Sequence, residues 1–162
     1  MVGSGAHHDA CARYNAGLSG LLTLAMTNPT KKEIFESGLK IRREVMGDAY
    51  VDRAFAVSDE FNEDVQDYLT THAWAASWAR RGPDGELALP KKTRSMLNLA
   101  MLAALNRPHE LEIHLRGAIT NGVTKKEMLE VFLQVATYAG APALLDGIRV
   151  ARKVWAEHEA AK

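Results

Sequence analysis

"ELEIHLRGAITNGVTKKE", Glu110 to Glu127, reads as the end of one helix and the start of the next. Leu111, Leu115, Ala118 and Ile119 recur at helical spacing and give the first half an apolar stripe. Asn121-Gly122 stops it, because glycine adopts the left-handed conformation past a helix end without a Cβ clash. Thr124 with Glu127 three residues later makes a capping box, in which the Thr cap alone contributes about 1 kcal/mol. Two helices so closely joined predict helix-on-helix packing.

The same punctuation recurs on either side. Lys31 to Met46 carries Ile34, Leu39, Ile41 and Val45 and stops at Gly47-Asp48. Ala49 to Val57 reads as a short helical turn, and Asp59 to about Ser77 as a longer helix capped by Ser58 or Asp59. "RRGPDGELALP", Arg80 to Pro90, is a loop rich in turn formers. Pro90 suits the entrance of a helix from Lys91 to Leu105, which is apolar almost all round from Met96 and is expected to be the buried central one. Pro108 opens the helix of the quoted stretch. The next helix reaches Tyr138 and breaks at Gly140-Ala141-Pro142, and a last one covers Ala143 to Glu159. Strand-like alternation is absent throughout. The fold expected is all-α, one domain of about six helices over residues 26–162, with residues 1–25 a flexible extension.

Composition narrows the function. The 162 residues hold 47% hydrophobic and 25% charged side chains, ordinary for a globular domain. Twenty basic and 20 acidic residues cancel, so no global field favours nucleic acid or an anionic membrane. No apolar run approaches the ~18 residues that cross a bilayer. The one cysteine, Cys11, rules out any CxxC pair, and a reducing cytoplasmic setting is expected. His7-His8-Asp9 could take a metal opportunistically but marks no site.

The candidate chemistry lies in two histidine-bearing helices. With His114 at zero, the core stripe of its helix falls between roughly 40° and 140°. Glu110, Asn121 and Arg107 share the edge where His114 sits, as a half-buried pocket wall would. The alternative is a boundary histidine paired with Glu110 one turn away. His72 falls on the stripe of Phe61, Val65, Tyr68 and Leu69, either as a chemical group or as a buried histidine that needs a hydrogen-bond partner. Trp74 and Trp78 fall away from that stripe, suggesting a subunit contact or a pocket lining. HExxH, Walker, GxGxxG and GxSxG motifs are all absent, and His109 and His114 point too far apart to share a metal. Neither a metal nor a cofactor is expected.

"GDAYVDRA", "FNEDVQDYLTTHAWAASWAR", "TRSMLNLAMLAALNR", "ELEIHLRGAITNGVTKKEMLEVFLQVATYAGAPAL" and "ARKVWAE" run in an order that resembles the γ-carboxymuconolactone decarboxylases. These belong to the carboxymuconolactone decarboxylase and alkylhydroperoxidase D-like superfamily, and the likeness covers Lys31 to Glu157. The resemblance implies antiparallel helices assembled as a homohexamer. The peroxidase branch carries CxxCxxxH where this chain has Arg107, Glu110 and His114; without either sulfur, thiol-dependent peroxide reduction is excluded.

The implied reaction is loss of CO₂ from 4-carboxymuconolactone, a lactone dicarboxylate, in the β-ketoadipate pathway of protocatechuate catabolism. His114 would be the acid or the carbonyl donor, with Glu110 orienting it and His72 as a second imidazole. Arg94 and Arg53 would hold anions, and Trp74 and Trp78 would pack near the lactone. Other readings are a lyase or isomerase acting on another lactone or keto acid, and a non-catalytic oligomeric helical module.

Overall fold

A computed structural model describes residues 28–57 and 59–161. The expected extension over residues 1–25 lies outside the described residues. Among those described, the chain forms seven α-helices and one π-helical segment, and its only β feature is an isolated bridge between Arg81 and Leu87. The helices are α1 (Lys31–Met46), α2 (Asp48–Ala56), α3 (Asn62–Tyr68), α4 (Lys91–Ala104), α5 (Pro108–Thr120), α6 (Lys125–Ala139) and α7 (Ala141–Ala160). The π segment, Leu69–Trp78, continues directly from α3.

The boundaries follow the local chemistry. Thr30 and Glu33 close a capping box at α1, and Thr124 and Glu127 close another at α6. Gly122 takes φ 78° between α5 and α6, as the quoted stretch requires. Two expectations need adjustment. Ala49 to Val57 is a full helix rather than a turn, and Pro142 lies in the first turn of α7, where its missing N–H costs no helical bond.

Two apolar centres hold the elements together. The larger joins α4 to α7 through Leu99, Leu111, Leu115, Phe132 and Val154, all nearly inaccessible. The smaller joins α1 to the π segment through Ile41, Val45, Trp74 and Trp78. Helix α1 also packs on α5, where Gly117 lies against Val45 and Met46. On the α4–α5 face Asn121 bonds Ser95 while Asn98 meets His114, so these two helices run antiparallel.

Three burial expectations are overturned. Helix α4 is not enclosed all round: Leu97, Met101 and the following Leu105 are exposed. The stripe through Phe61, Val65, Tyr68 and Leu69 faces outward, with Phe61 80% exposed, and His72 is exposed with it. Trp74 and Trp78, expected outside, are 7% and 6% exposed and stacked with ring centroids 5.2 Å apart. The stripe with His72 and the tryptophan pair lie apart as the wheel placed them, but the pair, not the stripe, is the side turned to α1. The π segment's i→i+5 bonding, seen where Ala79 N–H donates to the Trp74 carbonyl at 2.8 Å, widens its turn beyond 3.6 residues. Buried positions then recur four apart at Thr70, Trp74 and Trp78, and again at Thr71 and Ala75.

Candidate active site

The π segment ends at Ser77-Trp78 beside the first turn of α4. There Arg94 Nη1 donates to Ser77 Oγ at 3.3 Å. The Nε of Arg94 is buried, with no hydrogen-bond partner among the described residues. Burial lowers the arginine's pKa, and the neighbouring Arg80 guanidinium lowers it further. Arginine nonetheless stays charged at any physiological pH. Arg43, Arg116 and Arg149 each pair with a carboxylate; Arg94 forms no such pair among the described residues. A half-buried guanidinium beside a second cation presents a fork suited to a carboxylate.

One turn further along α4, Asn98 shares the face of Arg94. Its side-chain nitrogen lies 3.4 Å from Nδ1 of His114 on α5. His114 is half-buried on the edge of the apolar stripe, as the periodicity predicts. Burial lowers its pKa, and the Glu110 carboxylate one turn earlier acts in the opposite direction. At neutral pH the ring is therefore an uncharged imidazole. The Ser77–Arg94 and Asn98–His114 contacts, one turn of α4 apart, form a polar row along the seam of three elements, with exposed Glu110 one turn from His114.

The other candidates lie elsewhere. Exposed His72 stacks on Tyr68 at 4.4 Å between centroids, with Nδ1 2.8 Å from Thr71 Oγ1 and 3.1 Å from the Tyr68 carbonyl. Its contacts are with its own helix, and none reaches the row. Trp74 and Trp78 pack against Ile41 and Val45 and leave no indole face for a ligand. Exposed Arg53 lines a cavity of about 330 Å³ with Tyr50, Ile113 and Arg116, a lining that includes neither His114 nor Arg94.

The sequence reading missed Asn98, Ser77 and Arg42. The first two become visible only when helices meet. Arg42 is 3% exposed, donates to Thr70 Oγ1 at 3.2 Å and lies over the Phe55 ring. It serves the α1–π junction, and the Arg42-Arg43 doublet gave no hint which of the two was inside. A cavity of about 710 Å³ lies between α6 and α7 and is lined by hydrocarbon apart from Lys125, Lys126 and Arg152. It offers no imidazole or carboxylate. No three His, Cys, Asp or Glu side chains gather to hold a metal among the described residues.

On one seam of this all-helical domain lie an arginine with no carboxylate partner among the described residues and a half-buried histidine. Residues 63–153, from α3 into α7, match the Carboxymuconolactone decarboxylase family, and the chain belongs to that family. The 4-carboxymuconolactone decarboxylase of Acinetobacter baylyi is 39% identical over 75% of this chain and 86% of that protein. Nitrosuccinic acid decarboxylase npaB of Metarhizium robertsii is 34% identical over 80% of this chain and 86% of that protein. A 4-carboxymuconolactone decarboxylase of Pseudomonas putida is 40% identical over 26% of this chain and 90% of its own sequence.

Proposed function

We propose that the protein decarboxylates 4-carboxymuconolactone to the 3-oxoadipate enol-lactone in the β-ketoadipate pathway, without a cofactor. The observation that carries this reading is the row of Ser77, Arg94, Asn98 and His114. The substrate is that of the relatives from A. baylyi and P. putida, to judge by their names.

The departing carboxylate sits on the ring carbon γ to the lactone carbonyl, across a C=C bond. When its C–C bond breaks, the electron pair moves through that double bond onto the carbonyl oxygen, and CO₂ leaves a dienolate. The substrate is its own electron sink, a task that cofactors perform in many other decarboxylations. The protein must hold the acetate carboxylate, stabilise the new oxyanion and allow protonation at the carbon α to the carbonyl.

Arg94 suits the first task. Gripping the departing carboxylate would stabilise the ground state and slow its loss, so the arginine belongs on the carboxylate that is kept. His114 serves the carbonyl end, as hydrogen-bond donor or acid, with Glu110 orienting it. The substrate named for the M. robertsii relative also has two carboxylates and an electron-withdrawing group, here a nitro group, so it calls for the same two devices. His72, Arg53, Trp74 and Trp78 stand outside the row and have no part in this reading.

We further propose a homohexamer in the cytoplasm. Exposed Leu97, Met101, Leu105, Leu129, Leu133 and Leu145 supply apolar surface for contacts between copies. No helix among the described residues is long and apolar enough to cross a membrane. Light scattering behind size exclusion tests the assembly, and a monomer would refute it. The activity is tested by giving purified protein the lactone, generated enzymatically from carboxymuconate, with chelator present and no cofactor added. Turnover followed by absorbance is expected. No turnover at high enzyme concentration would overturn the assignment, and turnover abolished by chelator would overturn the cofactor-free mechanism.

A further inference from the structure

We infer that Asn98 is a positioning residue that holds His114 as the neutral Nε2–H tautomer, so that the ring donates to the lactone carbonyl oxygen. This rests on the decarboxylase reading above. The nitrogen of Asn98 that faces the ring belongs to an amide NH₂, which has hydrogens to give and no lone pair to accept with. Nδ1 of His114, 3.4 Å away, must then accept, and the single ring hydrogen of the neutral imidazole sits on Nε2. An imidazolium carries N–H on both nitrogens, and its Nδ1–H would meet the amide hydrogens head on. With the amide nitrogen toward the ring, the contact opposes the cation and selects one neutral tautomer.

The surroundings agree. Glu110, on the same helix, is the acidic group whose charge acts on the ring, and burial outweighs it. From α4 the ring meets the uncharged Asn98, with Arg94 one turn away and engaged by Ser77. The charges of α7 nearest α5 are taken up elsewhere: Lys153 pairs with Glu112, and Glu157 with Arg116. Helix α1 meets α5 through Gly117 against Val45 and Met46, which bring no charge.

This arrangement decides between the two roles open to His114. A neutral imidazole is a poor acid toward carbon but a good hydrogen-bond donor to an oxygen that is gaining charge. As the C–C bond breaks, the electron pair arrives on the carbonyl oxygen and Nε2–H holds it there. CO₂ departs, and the α-carbon of the dienolate takes its new proton from solvent water. His114 begins and ends the cycle neutral.

The test is side-chain ¹⁵N NMR of uniformly labelled protein, with the His114 signals assigned by their loss in H114Q. Wild type should show protonated Nε2 and unprotonated Nδ1 at neutral pH. In Asn98→Asp the carboxylate accepts from Nδ1–H instead, so the tautomer should invert and the His114 pKa rise. The turnover number should then fall about 10²-fold or more with KM changed less than ~3-fold, as an inverted tautomer does in other histidine enzymes. Should the aspartate variant fail to fold, Asn98→Ala serves, and it should weaken the tautomer preference and lower kcat. Protonated Nδ1 in wild type, or a ring state indifferent to both Asn98 variants, overturns the inference. If His114→Ala abolishes turnover while Asn98 variants leave the ring unchanged, the decarboxylase reading stands and this inference falls. If His114→Ala turns over normally, the carbonyl role of His114 and this inference fall together while the decarboxylase reading stands; that reading falls only if wild type fails to turn over the lactone.

Discussion

Gly38 sits where α1 meets the π segment, and replacing it with alanine is the sharpest test of that junction. A Cβ there would lie 2.1 Å from the Thr70 carbonyl oxygen, 2.9 Å from the Ala75 nitrogen and 3.0 Å from the Ala75 Cβ. Real Cβ contacts essentially never fall below 3.0 Å, so the Thr70 carbonyl has to retreat by about 1 Å. The obstacle is main chain, which cannot rotate aside as a side chain can. Retreat of Thr70 also strains the bond from Arg42 and loosens the packing of Trp74 and Trp78 on Ile41 and Val45. Overpacking of a core costs about 1–3 kcal/mol, and a backbone clash belongs at the upper end. A loss of ~3 kcal/mol in a chain of this size lowers Tm by roughly 6–12 °C. Paired thermal and urea melts of wild type and Gly38→Ala measure it. Because Ser77 holds Arg94 from the same segment, KM should rise as well. A stability change below ~0.5 kcal/mol would show that α1 does not press on a widened helix, and the reassignment of Trp74 and His72 would fall with it.

Other expectations follow from the row and from the caps. His114→Ala should lower kcat about 10²–10³-fold, the usual loss when one oxyanion donor is removed, and a variant that folds yet turns over at near wild-type rate refutes its role. Arg94→Met should reduce kcat/KM roughly 10–100-fold, mainly through KM, since a charged hydrogen bond is worth about 1.5–3 kcal/mol; an unchanged KM removes Arg94 from binding. Thr124→Ala should cost about 1 kcal/mol and lower Tm by roughly 2–4 °C without touching kcat. For pH, His114 has its pKa depressed in the folded chain, so the stability it confers is whole above the ordinary imidazole value of about 6.5 and is lost as pH falls through the folded value. Glu127 is held down to about 2 by Lys92 and Thr124, so its contribution is whole above about 4.5 and is lost progressively as pH falls from there toward that value. Urea melts of wild type and His114→Gln from pH 7 to pH 4 should diverge below about 6.5, with wild type losing more; parallel curves contradict the buried neutral ring.

Most of the helical framework was legible because helix ends are written in local chemistry. Thr124 with Glu127, Gly122, Pro90 and Pro108 act within a few residues of themselves, and the structure places a helix boundary at each. Faces are harder to read, because which side is buried depends on the neighbour it meets. From Lys91 onward the pitch is α-helical, and the wheel located Leu111, Leu115 and His114 correctly. Before and through Leu69–Trp78 the wheel separated Phe61, Val65, Tyr68 and His72 from Trp74 and Trp78, but apolar content alone did not tell which side packs on α1.

The site divides along the same line. His114 could be found because one helix displays it, and Arg94 because it opens an apolar helix. Asn98 could not, since its importance lies in meeting a residue 16 positions away on another helix. Buried Ser95, bonded by Asn121, is hidden from a single-helix reading in the same way. The contact with Asn98 also changes what His114 means. On its own helix the histidine pairs only with Glu110, and a carboxylate beside an imidazole argues for a charged ring and an acid. With burial and an amide donor on its other side, the balance moves to the neutral ring, and the role we propose moves from giving up a proton to holding an oxyanion. The residue type was evident from one helix, but its protonation state depends on two.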